Sequence, residues 1–132
     1  MTISEWVAGL AALSITGVKR KYTAPPQQVN TGDLPAMYPR VPQDTVEVVS
    51  FGGTTGLTVA SIELVIAICP YALSTAATEF ARAVSLIDAM KTTLDAAVIS
   101  LGIDRYTIRQ DILDLGSDTV YWGLVATVEA SF

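Results

Sequence analysis

Apolar positions recur along this chain with two periods, and the switches between them mark out its elements. From Thr2 to Ile15 the spacing is helical: Ile3, Trp6, Val7, Leu10 and Leu13 fall near one stripe. Thr2 and Glu5 have the spacing of a capping box, and Gly17 is placed to stop the helix. Val18 to Thr23 then predicts a short strand whose charges suit a sheet edge. Thr45 to Phe51 alternates and predicts another strand. After Gly52-Gly53-Thr54-Thr55-Gly56, which reads as a hairpin tip, Leu57 to Cys69 is apolar on both faces. That predicts a central strand.

The helical period returns after Ser74 and Thr75, either of which can cap a helix running to about Leu101. Phe80, Val84, Ile87, Met90, Leu94, Val98 and Leu101 form one stripe and are expected to pack on the sheet. Glu79, Arg82, Asp88, Lys91 and Asp95 lie on the other side, spaced for the ion pairs Glu79–Arg82, Asp88–Lys91 and Lys91–Asp95. Gly102 suits the position just past the helix end. Tyr106 to Leu115 and Thr119 to Phe132 predict two more strands around a turn at Gly116-Ser117-Asp118. In the last strand Trp122, Leu124, Ala126, Val128, Ala130 and Phe132 share a face, with Tyr121, Val125, Thr127 and Glu129 opposite.

One stretch obeys neither period. Ala24 to Pro42 holds Pro25, Pro26, Pro35, Pro39 and Pro42, five of the six prolines. Proline lacks an N–H and fixes φ, so this segment reads as a long loop and not as helix or central strand. Its Leu34, Met37 and Tyr38 are apolar, so the loop either packs across its own domain or presents a contact surface. The order α-β-loop-β-β-α-β-β predicts an α+β fold, a mainly antiparallel sheet with a short N-terminal helix and one long helix packed on it. A length of 132 residues suits a single domain, 1–132.

Composition narrows the chemistry more than it narrows the fold. There is no histidine, which removes the commonest general base and a leading metal ligand together. Ser50, Ser61 and Ser74 therefore have no partner for a Ser-His-Asp triad. The glycine cluster lacks the lysine and following helix of a phosphate loop. Asp104, Asp111, Asp114 and Asp118 gather in the last hairpin without the spacing of a calcium loop and read as a solvated acidic surface. The single cysteine, Cys69, has apolar neighbours and no basic flank, so it reads as a buried, inert thiol. No catalytic, metal or cofactor site is expected. No apolar run is long enough to cross a membrane, and the N-terminus lacks the basic start of a signal peptide. The net charge of −5 disfavours general nucleic-acid binding. The one basic cluster, Lys19-Arg20-Lys21, suits a solvated strand edge. With 51% hydrophobic and only 16% charged residues, the chain suits the forming of surfaces better than turnover of a substrate.

The whole chain resembles the tail terminator (tail completion) proteins of long-tailed bacteriophages. The resemblance is carried by the short N-terminal helix, the segment Leu34-Pro35-Ala36-Met37-Tyr38-Pro39-Arg40 and the Val46–Cys69 hairpin. The long helix Thr75–Leu101 and the closing strand Tyr121-Trp122-Gly123-Leu124-Val125-Ala126-Thr127-Val128-Glu129 complete it. It implies a virion protein of the tail and neck, made in the host cytoplasm. Such a protein forms a ring, commonly of six subunits, that caps the tail tube and joins it to a neck or head–tail connector protein. DNA would be cargo in the lumen, and six copies would bring about −30 of charge to the ring. On this reading the contact surfaces are the proline-rich loop (Leu34, Met37, Tyr38, Arg40), the hairpin tip (Gly53, Thr54, Thr55) and the basic edge (Lys19, Arg20, Lys21). Another neck protein, a tube subunit and a small-molecule-binding domain are the competing readings.

Overall fold

The computed structural model describes residues 2–41, 49–51, 57–71, 79–116 and 119–132. They form the expected α+β architecture. Helix α1 (Ile3–Ala11) and helix α2 (Phe80–Ala97) lie on one face of a six-stranded sheet. The strands are β1 (Arg20–Lys21), β2 (Ala36–Arg40), β3 (Val49–Phe51), β4 (Leu57–Pro70), β5 (Ile103–Asp114) and β6 (Val120–Ser131). Their order is β1-β2-β4-β6-β5, with β3 also on β4. Only β1–β2 is parallel.

Helix α1 begins as its sequence dictates. The Thr2 hydroxyl accepts from the Glu5 N–H, and the Glu5 carboxylate accepts from the Thr2 N–H. The helix ends before Gly17, at Ala12, where Lys21 Nζ donates to the Ala12 carbonyl at 3.1 Å and supplies a terminal acceptor's missing partner. Trp6 and Leu10 are fully buried, and Trp6 meets Phe132 edge to face at 5.5 Å.

The proline-rich segment departs most from expectation. It is not a loop throughout: after a 3₁₀ turn at Thr31–Asp33 it enters the sheet as β2, between β1 and β4. The prolines permit this because of their parity. Pro35 and Met37 turn their carbonyls to β1, accepting from Lys19, Arg20 and Tyr22. Alternation then turns Ala36, Tyr38 and Arg40 toward β4 and leaves Pro35 and Pro39 facing away from it. Pro39 lies past the end of the two-residue β1, where no bond is demanded of its nitrogen.

Both faces of the sheet are covered. Toward the helices lie Met37, Leu64, Ile66, Ile68, Leu124 and Val128, packed on Trp6, Leu10, Leu86, Met90 and Leu94. On the opposite face Ala36, Tyr38, Val65, Ala67, Leu113, Tyr121 and Val125 pack under Val29 and Leu34. The Tyr121 hydroxyl holds that cover down, donating to the Val29 carbonyl at 2.9 Å. The first half of the proline-rich segment is thus a lid on the sheet, and its second half is a strand within it.

The buried stripe of α2 keeps Met90 and Leu94 of the expected one but is otherwise turned around the helix. Ala83, Leu86, Met90, Leu94 and Ala97 face the sheet. Phe80, Val84, Ile87 and Val98 are exposed, Phe80 at 63%. At about 100° per residue the two stripes lie about 80° apart around the helix. Small Ala83 and Ala97 let the backbone approach the sheet, which favours their stripe over the bulkier one. Ser74 and Thr75 lie outside the described residues.

Candidate interaction surface

Of the surfaces expected to make contacts, the proline-rich one is closed within the chain. Leu34, Met37 and Tyr38 are buried by the chain's own residues, at 4%, 0% and 1% exposure. They are core, not surface, because the segment that carries them is lid and strand. Burial also pushes the Tyr38 hydroxyl up to about 12, against the pull of the Arg40 guanidinium. That hydroxyl has no hydrogen-bond partner among the described residues.

Arg40 is turned inward as well. In register with Glu63 across β2–β4, its Nε donates to Glu63 at 2.8 Å. The other Glu63 oxygen accepts from Arg109 at 2.6 Å, and Arg109 also donates to Thr127 at 3.0 Å. Asp111 stands 3.6 Å from Arg40. Glu63 is only 4% exposed. Each oxygen of this buried carboxylate is paired with a guanidinium group, so removing either partner would leave an uncompensated charge inside the sheet. The hairpin tip (Gly53, Thr54, Thr55) lies outside the described residues.

The basic edge is at the surface, as expected. β1 ends the sheet on one side, and Lys19, Arg20 and Lys21 are exposed or half-exposed along it. Lys21 is tied to Ala12 and Ser14. Arg20 lies 5.0 Å from the centre of the Tyr22 ring and 3.4 Å from Asp33.

Strand β5, at the other end of the sheet, was not among the expected contact regions. It runs 12 residues and, among the described residues, pairs only with β6, so no described strand lies beside its outer row of N–H and C=O groups. The exposed stripe of α2 leans over this edge. Leu86 faces Gly17 on the α1 side, whereas Asp95 reaches toward β5 and accepts from the Tyr106 hydroxyl. Phe80, Val84 and Ile87 lie between the sheet-facing stripe and Asp95, on the β5 flank. β5 returns antiparallel to α2, and the Asp95–Tyr106 contact fixes their relative height. From Tyr106 to Ile112 is about 20 Å of strand, or about 13 residues of helix. Ile112, 51% exposed, therefore comes level with Arg82 to Val84. An apolar flank of Phe80, Val84, Ile87 and Ile112 stands above an unpaired strand. Its signal in the sequence was present, a second apolar stripe beside the alanine-bearing one, but bulk pointed to the wrong stripe as core.

The acidic residues of the last hairpin do not converge. Asp104 accepts from Ser131, Asp114 from the Gly116 N–H, and Asp111 belongs to the Arg40 network; Asp118 lies outside the described residues. No group of side chains suited to hold a metal ion occurs among the described residues. Cys69 is buried, and burial pushes its thiol up, so it is a poor nucleophile. Lys91 pairs with Asp95 at 2.7 Å and Arg82 with Glu79 at 3.2 Å; of the expected pairs, Asp88–Lys91 does not form. No helix among the described residues is long and apolar enough to cross a membrane. No protein family, curated protein or solved structure matches this chain.

Proposed function

We propose that this chain is a structural subunit of a phage tail, a tail terminator whose copies close into a ring that caps the tail tube and joins it to the neck. One observation carries the reading: among the described residues the sheet ends on a 12-residue strand, β5, with no strand on its outer side and an exposed apolar flank of α2 above it. The β5 edge and the α2 flank above it expose the backbone and apolar side chains that a neighbouring subunit covers. The order of elements along the whole chain, which resembles that of tail terminators, supports the same reading.

The mechanism is geometric. Copies pair side by side, one ring face matches the last ring of tube subunits and stops its growth, and the other receives the neck protein. DNA passes through as cargo. The test is negative-stain imaging of the purified protein, alone and mixed with tail tubes of the phage whose genome carries the chain. A single ring that seats on tube ends and does not stack is expected. Filaments would instead identify a tube subunit. A protein that forms no ring and ignores tubes would overturn the assembly reading.

A further inference from the structure

We infer that successive copies join head to tail by continuing the sheet: the β5 edge of one copy takes the β1 edge of the next, with Asp111 facing Arg20. This inference rests on the ring reading above and names the surfaces that close it.

The first argument is strand polarity. β1 is parallel to β2, and each following pair in the order β2-β4-β6-β5 is antiparallel. β1 and β5 at the two ends therefore run in opposite directions. A next copy set beside the first in the same orientation presents its β1 antiparallel to β5, the commoner and slightly stronger pairing.

The second argument is register. One row crosses the whole sheet: Arg20, Ala36, Ala67, Gly123, Asp111. The adjacent row is Lys21, Met37, Ile66, Leu124, Gln110. Carried flush into the next copy, these rows place Arg20 opposite Asp111 and Lys21 opposite Gln110. The hydrogen-bond parity agrees. Arg20 and Tyr22 turn their N–H groups to β2, so Lys21 turns outward. Alternation from Pro35 and Met37 across β4 and β6 turns Asp111 toward β6 and Gln110 outward. Lys21 and Gln110 are then a bonded pair, and Arg20 and Asp111 the close, non-bonded pair beside it.

The third argument is charge and shape. Residues of one row point to one face, so the Arg20 guanidinium and the Asp111 carboxylate meet on the side away from the helices. Both are partly exposed, and their ion pairs within the chain are long, 3.4 Å for Arg20 and 3.6 and 3.8 Å for Asp111, whose Oδ1 also accepts from the Ile112 N–H at 2.8 Å. On the helix side an apolar groove of about 180 Å³ lies beside β1, walled by Val7, Pro25, Pro39, Val41 and Ile62. Continuing the sheet keeps the helices on one side, so the α2 flank of one copy faces the β1 side of the next, with Val84 and Ile87 level with Arg20 and Lys21 and the groove level with Tyr106 and Ile108.

The test is disulfide trapping in solution. The variant Arg20→Cys/Asp111→Cys, in a Cys69→Ala background, is oxidised and run without reductant. The expected result is a ladder of covalent multimers ending at the ring number. Asp111→Cys alone should give no ladder and no dimer; dimers from it would mean two-fold β5–β5 pairing and would overturn the proposal. Charge reversal gives a second readout that needs no new cysteine. Arg20→Asp and Asp111→Arg should each weaken association about fivefold, and the double reversal should restore it. Rings that form with neither trapping nor rescue would reject this interface and leave the ring reading standing. Absence of rings and of tube binding by the unaltered protein would reject both.

Discussion

The two ends of the sheet use similar residues to opposite effect. At the β2 end, Met37, Tyr38 and Leu34 vanish beneath α1 and the proline-rich lid, and even the charged Arg40 is folded in against Glu63. At the β5 end, Phe80, Val84, Ile87 and Ile112 are as apolar and stay exposed, beside a strand with no outer neighbour among the described residues. Hydrophobicity alone does not decide burial. What decides it is whether the chain has a further segment to lay over the surface. The 24–34 stretch is that segment at one end, and none of the described residues plays the part at the other.

The largest effect expected is at the closed end. Glu63→Ala removes the carboxylate shared by Arg40 and Arg109 and leaves the Arg40 charge, 11% exposed, inside the sheet without its partner. A loss of about 3–5 kcal/mol in urea unfolding is expected. A loss near zero would mean that Asp111 or solvent satisfies Arg40.

Next comes a direct contrast on α2. Leu86→Ala empties a buried site and should cost about 2–5 kcal/mol. Phe80→Ala, at the open end, should change the stability of a single subunit by less than about 0.5 kcal/mol, while weakening association. Equal losses in chemical denaturation of the unassembled subunit would erase the distinction between the two stripes.

A smaller effect appears only at alkaline pH. The folded state raises the Tyr38 hydroxyl from 10.0 to about 12, so it binds its proton more tightly than the unfolded chain does. Its contribution is complete below pH 10 and is lost as the pH climbs toward 12, at about 1.4 kcal/mol per pH unit. Unfolding midpoints of the wild type and Tyr38→Phe across that window check the sign: the wild type should fall faster.

Much of the fold was legible because its signals are local. The capping box of α1, the two-sided apolar run of β4 and the alternation of β6 each specify an element without reference to the rest. The proline-rich segment was not legible because the decisive fact is parity. Pro35 and Pro39 are tolerated only because their nitrogens face β1 or the space beyond it, and that needs the neighbours of β2 to be known. The stripe of α2 was misread because Phe80 and Val84 outweigh Ala83 and Ala97 in hydrophobicity, whereas close packing on a sheet favours the small pair. The Glu63 network joins residues 23 and 46 positions apart, a convergence that only the β2-β4-β6-β5 order creates. Of the candidate surfaces, the basic edge could be read from its charge run. The β5 edge could not, since a strand sequence does not say whether it has one neighbour or two.

The central claim is that the open end is where copies of this chain meet. Light scattering on a sizing column measures it most directly, comparing the wild type with Val84→Asp at matched concentration. The wild type should elute as a discrete multiple of the 14.0 kDa subunit, and Val84→Asp as a folded monomer with unchanged circular dichroism. If both show the same mass at every concentration, the α2 flank is not an interface between copies and the account fails.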